Sequence, residues 1–158
     1  MDLFSYLLGK KASGGGGSNN YFLESNKVDG QAKQFTTFIQ DMPYEYIDFT
    51  GISAAQNFFS GCNKLKRIAI RNTGSLTTSG VANLFSGCIS LEILDIRDLL
   101  LDSLGVLTIF GGSAASGTRV PNDCLIIVKS DVEKTWMATN LSRYTNVVTV
   151  DEYEANNK

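Results

Sequence analysis

A repeated phrase constrains this chain more than any other feature. Phe59-Ser-Gly-Cys-Asn-Lys-Leu-Lys-Arg-Ile-Ala-Ile70 returns as Phe85-Ser-Gly-Cys-Ile-Ser-Leu-Glu-Ile-Leu-Asp-Ile96. Stacked repeat units require such segments, because each unit must place the same side chains in the same order. A fainter copy over 38–49, in which Phe38 corresponds to Phe59 and Phe49 to Ile70, gives three units. Three is about the minimum for a stacked core.

Each unit ends in a pattern that predicts a short strand. Apolar residues alternate at its end, and strand side chains alternate between two faces, so the apolar set points into one core. We expect strands at 44–49, 65–70 and 91–96. The inward strand positions and the aromatic positions of the repeat are the predicted core: Leu65, Ile68, Leu91, Leu94, Phe58, Phe59, Leu84 and Phe85.

The remaining segments are predicted from periodicity and caps. We expect amphipathic or short helices at 31–41, 54–59 and 79–85, which precede the three strands. After Ile96 we expect a partly helical segment (98–110), a loop (111–117), a strand (125–128) and a strand near 147–150. Ser130 and Glu133 have the spacing of a capping box, which predicts a helix over 131–140 with Trp136 and Leu141 packed on the last repeat.

The composition of the chain limits the kinds of function to be expected. The chain of 158 residues has no histidine and a formal net charge of −2. Histidine is the side chain most used for acid–base work near neutral pH, so an enzyme is not expected. The charge gives no basic footprint for nucleic acid. We predict no cofactor, no metal, no nucleic-acid partner and no membrane insertion.

The three cysteines are expected to be buried thiols. Cys62 and Cys88 hold the same slot in consecutive repeats, so a disulfide between them is the alternative. Unpaired cysteine is among the most buried residue types. Cys124 precedes an apolar run and has no histidine to activate it, so we expect a core residue and not a nucleophile.

The first residues form a separate unit in our interpretation. Residues 1–12 contain an amphipathic apolar segment, 13–20 form a Gly/Ser linker, and 21–155 form the folded domain with its C-terminal cap. An apolar peptide on a tether buries its side chains against a partner or folds back on its own domain. We predict an anchor; its candidate partner-binding residues are Leu3, Phe4, Tyr6, Leu7 and Leu8.

A second candidate surface is the outer face of the strands. The charged residues between the buried strand positions are predicted to project away from the core: Lys66, Arg67, Glu92 and Asp95, with Glu45 and Asp48 in the weak repeat. Repeat proteins bind macromolecules on such faces, although a solvated face has the same pattern. The glycines lack the Lys-Ser/Thr of a phosphate loop, and Asp95, Asp98 and Asp102 lack the spacing of a calcium loop.

The phrase Phe-x-Gly-Cys-x-x-Leu-x-x-Leu-x-Ile, carried over 38–96, resembles the leucine-rich repeats of bacterial surface antigens of the BspA type. The start, Met1-Asp-Leu-Phe-Ser-Tyr-Leu-Leu-Gly-Lys-Lys11 with its glycine tract, is similar to that of small structural proteins of phages and prophages of Gram-positive bacteria. The segments 120–128 and 145–154 are similar to the end of such phage repeat proteins. The resemblance implies an α/β fold: a short, irregular leucine-rich-repeat-like solenoid with a C-terminal capping helix and an N-terminal extension.

The resemblance also implies a function. We expect a non-enzymatic virion protein, assembled in the host cytoplasm and present in many copies. The anchor would bind capsid, tail or baseplate proteins, and the repeats would decorate the particle or contact a host-surface glycan or protein. The alternative is a bacterial adhesion or protein-interaction module; the lack of an export signal counts against it. A carboxylate-dependent hydrolase would require paired acids in a pocket.

Overall fold

The computed structural model describes residues 20–22, 40, 42, 44–105, 107–111 and 119–158. The predicted anchor lies outside these residues, as do nearly all of the predicted linker, of the predicted helix at 31–41 and of the predicted loop at 111–117. The protein has a mixed α/β fold, in which a parallel sheet is accompanied by helices after its fourth described strand.

Within the described residues the sheet has six strands, each hydrogen-bonded to the next along the chain. All neighbouring pairs are parallel. The strands are β1 (Asn20–Phe22), β2 (Tyr46–Asp48), β3 (Arg67–Arg71), β4 (Ile93–Asp95), β5 (Leu125–Val128) and β6 (Val147–Thr149). The helices of the same part are α1 (Leu101–Leu104), α2 (Asp131–Asn140) and α3 (Val150–Asn156), with 3-10 turns at Ser79–Val81 and Leu107–Phe110.

The register confirms the main repeat. Arg67 lies opposite Ile93 and Ile68 opposite Leu94, so the sheet pairs the same residues that the repeated phrase aligns. Between β2 and β3 the register differs from the weak repeat, since Ile47 lies opposite Ile70 and not opposite Ile68. The difference is an even number of residues, so each side chain keeps its face of the sheet.

A second ladder of hydrogen bonds joins the two repeats away from the sheet. The N–H groups of Ala55, Asn57, Phe59 and Gly61 donate to the carbonyl groups of Gly80, Ala82, Leu84 and Ser86 at 2.7–3.1 Å. This ladder replaces two of the predicted helices, and the prediction of a helix at 54–59 is wrong. Residues 79–85 contain only the short 3-10 turn. Asn57 and Asn83 have φ angles of 62° and 54°, in the left-handed region that interrupts an α-helix.

The core contains a column of aromatic rings, one from each successive layer. Phe59 and Phe85 stack with centroids 5.7 Å apart, and Phe85 and Phe110 with centroids 6.0 Å apart. Tyr144 continues the column at 5.1 Å from Phe110. Rings at these separations add to the free energy gained from burial. All of the predicted core residues are buried, as are Trp136 and Leu141.

The three cysteines are buried thiols, as predicted, and the alternative disulfide between Cys62 and Cys88 is not formed. The Cys88 thiol donates to the carbonyl of Phe59 at 3.1 Å. A hydrogen bond with Cys62, together with burial, raises the pKa of Cys88. Burial also raises the pKa of Cys124 to about 12.

The predicted capping box at Ser130 is wrong, although helix α2 spans the predicted residues. Ser130 makes no side-chain cap, and Glu133 instead accepts the Asp102 N–H at 2.9 Å, which ties α2 to α1. A true capping box lies at the start of α3. The Thr149 hydroxyl accepts the Glu152 N–H at 3.2 Å, and Glu152 accepts the Thr149 N–H at 2.8 Å.

Candidate functional site

The outer strand face consists of the side chains of β2 to β5 that point away from the aromatic column. Alternation places Arg67, Ala69 and Arg71 on this face, because Ile68 and Ile70 point into the core. The same alternation places Tyr46, Asp48, Ile93, Asp95, Leu125 and Ile127 there. The parallel register then sets residues of neighbouring strands side by side.

The predicted residues Lys66 and Glu92 lie just before β3 and β4 and form a salt bridge at 3.0 Å. Their side chains are 44% and 65% exposed, so the pair is open to solvent. A pair this exposed contributes about 0–1 kcal/mol to stability. It therefore displays two opposite charges on the surface and adds little to the fold.

Arg67 has a fixed orientation on the same face. Its guanidinium donates to the Glu45 carbonyl at 2.9 Å, across the gap between β2 and β3. Within the described part of the chain the other donors of the guanidinium fork have no partner, so they can serve a bound molecule.

Asp95 departs from the prediction. We expected it to project into solvent, but the residue is only 4% exposed. Arg71 and Arg97 cover it: the nearest nitrogens of the two guanidiniums lie 2.9 and 2.8 Å from one carboxylate oxygen. The Arg97 Nε–H donates to the other oxygen at 3.0 Å. Asp48, also expected to project, is 4% exposed and accepts bonds from Thr50 and Asn72.

The Asp95 cluster has a clear electrostatic character. Burial alone raises the pKa of the Asp95 carboxyl, but the hydrogen bonds and charges of Arg97 and Arg71 outweigh it, and the pKa lies below its ordinary value. Charge-assisted bonds of this kind are about twice as strong as neutral ones. The carboxylate thus stays ionised and holds both guanidiniums in place.

Two further contacts fix the arginines. Arg97 reaches Glu154 of α3 at 3.3 Å, and the Arg71 guanidinium lies 5.4 Å from the Tyr46 ring centroid. Sequence reasoning selected none of the four residues in these contacts: Arg71, Arg97, Tyr46 and Glu154. The signal was the recurrence of arginine directly after the repeated phrase in both units, on the same face as Asp95.

The outer strand face is therefore preorganised and almost balanced in charge. Arg71 and Arg97 bind Asp95, Arg67 bonds to the backbone just before β2, and the exposed Lys66–Glu92 pair lies at the border of the face. Among the described residues of this face, the pairing of opposite charges leaves no concentrated positive potential. A hydrolase would need two acidic side chains that meet in a pocket, and the described residues of this face show no such pair.

The residues of the predicted anchor, Leu3 to Leu8, lie outside the described part of the chain. Within that part, no helix is both long enough and apolar enough to cross a bilayer. Among the same residues, no group of three or more metal-binding side chains comes together.

No protein-family model, curated protein or solved structure matches this chain. The observations therefore assign the chain to a fold class only: an α/β protein whose parallel sheet is built on a repeated sequence.

Proposed function

We propose that the chain is a phage virion structural protein. Its described part is a short, irregular leucine-rich-repeat-like solenoid, and its N-terminal peptide anchors it to the head or tail lattice. The domain then decorates the particle or contacts the host surface. The observation that carries this proposal is the repeat, which is present in sequence, register and ring column alike.

The solenoid supplies a scaffold suited to display. The sheet ladder and the second ladder hold consecutive units at their backbones, so exposed side chains are held on a rigid support. Lys66, Arg67 and Glu92 are the residues we propose for partner contact. Asp95 serves as the buried carboxylate that positions Arg71 and Arg97.

The anchor is proposed from the sequence of residues 1–12 and the glycine-rich residues that follow. Leu3, Phe4, Leu7 and Leu8 can bury their side chains only against another surface, and Tyr6 adds an aromatic ring with a polar end. In a symmetric lattice many weak anchors hold together, because the copies share one assembly.

The test is removal of residues 1–18 in a phage-producing strain that carries the gene. We expect the truncated domain to fold, as circular dichroism would show, and to be missing from purified particles. A matched control replaces Lys66 and Glu92 by alanine, which changes the display surface and leaves the anchor intact; it should be incorporated normally. Normal incorporation of the truncated protein would refute the anchor.

A bacterial adhesion or protein-interaction module is the competing function, for which the repeats alone suffice. The observation that favours it is that the Lys66–Glu92 pair is exposed to solvent. Fractionation decides between the two: the virion protein sediments with particles, and the competing module remains with the cells.

A further inference from the structure

A second surface, unrelated to the outer strand face, lies on the C-terminal cap. Helices α1 and α2 border a shallow groove of about 490 Å³. Its lining comes mainly from one side of α2, where Asp131, Thr135 and Thr139 form a row four residues apart beside Val132, Trp136 and Asn140. Asp102 of α1 completes it. A volume of this size falls in the range of small-molecule sites.

Trp136 contributes an aromatic side chain to the lining of the groove. The residue is only 9% exposed, and its indole N–H has no hydrogen-bond partner among the described residues. Trp136 therefore offers the groove a small apolar contact, while most of its ring packs in the core.

The remaining lining consists largely of acceptors. The carboxylates of Asp102 and Asp131 have no ion-pair or hydrogen-bond partner within the described part of the chain. The nearest cation on α2, Lys134, is engaged with Glu152 at 2.7 Å. Asn140 donates to the Trp136 carbonyl, so its own carbonyl oxygen remains. A ligand for this groove must donate several hydrogen bonds and also present an apolar face.

We propose that the groove between α1 and α2 binds a saccharide unit. A sugar ring has both properties, since its C–H face packs on an indole while adjacent hydroxyls donate to carboxylates. The side of Trp136 supplies the apolar contact, and Asp102 and Asp131 accept hydroxyl donors from the two helices. The proposal depends on the proposed function only for the source of the sugar, which would be a glycan of the host surface.

The experiment uses the single tryptophan of the chain as the reporter. Emission of Trp136 in the full-length protein is followed while glucose, galactose, N-acetylglucosamine or rhamnose is added to about 50 mM, because a shallow single-sugar site binds near the millimolar range. We expect a saturable change with at least one sugar that is insensitive to added salt, since the ligand is uncharged.

Two variants locate the site. Asp102→Asn and Asp131→Asn each replace a charged acceptor by a neutral one, and we expect each to weaken binding about three- to tenfold. Asp151→Asn is the matched control: Asp151 lies in the first turn of α3 as Asp131 lies in the first turn of α2, but outside the groove. It should leave the affinity unchanged.

Three results would overturn the proposal. The first is that no sugar gives a saturable change in emission, and the second is that neither aspartate variant weakens the saturable change. The third is that only spermidine, added as a cationic comparison, gives a saturable change, and that added salt abolishes it. The last would identify a groove for cations. Particle incorporation of Asp102→Asn is measured separately and should be normal, so loss of sugar binding and failure of the virion proposal remain distinguishable.

Discussion

Gly61 and Gly87 offer an internal comparison that tests the stacking of the repeats. Each follows serine and precedes cysteine, and each has a φ angle of 79°. They differ in surroundings. A Cβ on Gly87 would lie 2.9 Å from the Gly61 nitrogen and 3.0 Å from its Cα, whereas a Cβ on Gly61 would meet none of the described residues within 4 Å.

The expected cost of Gly→Ala follows from these distances. At both positions alanine adopts a left-handed conformation, which costs about 1–2 kcal/mol. Only Gly87→Ala also forces apart two backbones. Gly61 cannot easily yield, because its N–H donates to the Ser86 carbonyl at 2.8 Å. Overpacking of this kind costs about 1–3 kcal/mol more.

The assay is thermal and urea unfolding of the two variants, followed by circular dichroism. Gly87→Ala should melt about 2–12 °C below Gly61→Ala, since each kcal/mol shifts Tm by about 2–4 °C in a chain of this size. Equal losses in the two variants would refute the close approach of consecutive units, because the conformational cost is common to both.

Further predictions follow from the core, the Asp95 cluster and the thiols. Phe85→Ala leaves a gap between Phe59 and Phe110 and should reduce the free energy of unfolding by about 3–5 kcal/mol, measured by urea denaturation; a loss below that of an exposed Ile89→Ala control would contradict the ring column. The pKa of Asp95 is lower in the folded state, so its stabilisation is present above the unfolded pKa and is lost as pH falls through the folded pKa. Asp95→Asn should therefore destabilise the protein at pH 7 and flatten the fall in stability on acidification, and an unchanged acid limb would argue against the cluster. Burial raises the pKa of Cys124 to about 12, and a hydrogen bond with Cys62 together with burial raises that of Cys88, so a thiol reagent at pH 8 should label neither in the folded protein and both after unfolding. Labelling of the native protein at the unfolded rate would contradict their burial.

The repeat predicted the strands and the core because equivalent positions of the repeated sequence indicate which side chains lie in the same layer. Phe59 and Phe85 hold equivalent positions in sequence, and equivalent positions in stacked units become neighbours. The strands β3 and β4 lie close to the expected ranges for the same reason. β5, β6 and helix α2 followed from local patterns alone.

The failures have local physical causes. The apolar spacing of 54–59 fits a helix, but periodicity does not reveal that Asn57 takes a left-handed φ and that its N–H bonds to the next unit. Ser130 and Glu133 match a capping box, but Glu133 is recruited by the Asp102 N–H. Thr149 and Glu152 have the same spacing and form the true box.

The sequence predicted the outer strand face in part and did not predict the groove between α1 and α2. Alternation placed Asp95 on the outer strand face correctly but gave no sign that Arg71 and Arg97 would enclose it, because that depends on which side chains of adjacent strands meet. The groove required the packing of α1 on α2. The row of Asp131, Thr135 and Thr139 beside Trp136 was its only trace in the sequence.

The capping box of α3 also decides where the sheet ends. The Ile126 N–H bonds to the Asn146 carbonyl, so by alternation the Thr149 N–H points away from β5, toward the position that a further strand would occupy. Glu152 already fills that donor, and Lys134 grips both of its carboxylate oxygens. A strand that approached this border would find the Thr149 N–H already bonded, which disfavours edge-to-edge pairing at this residue.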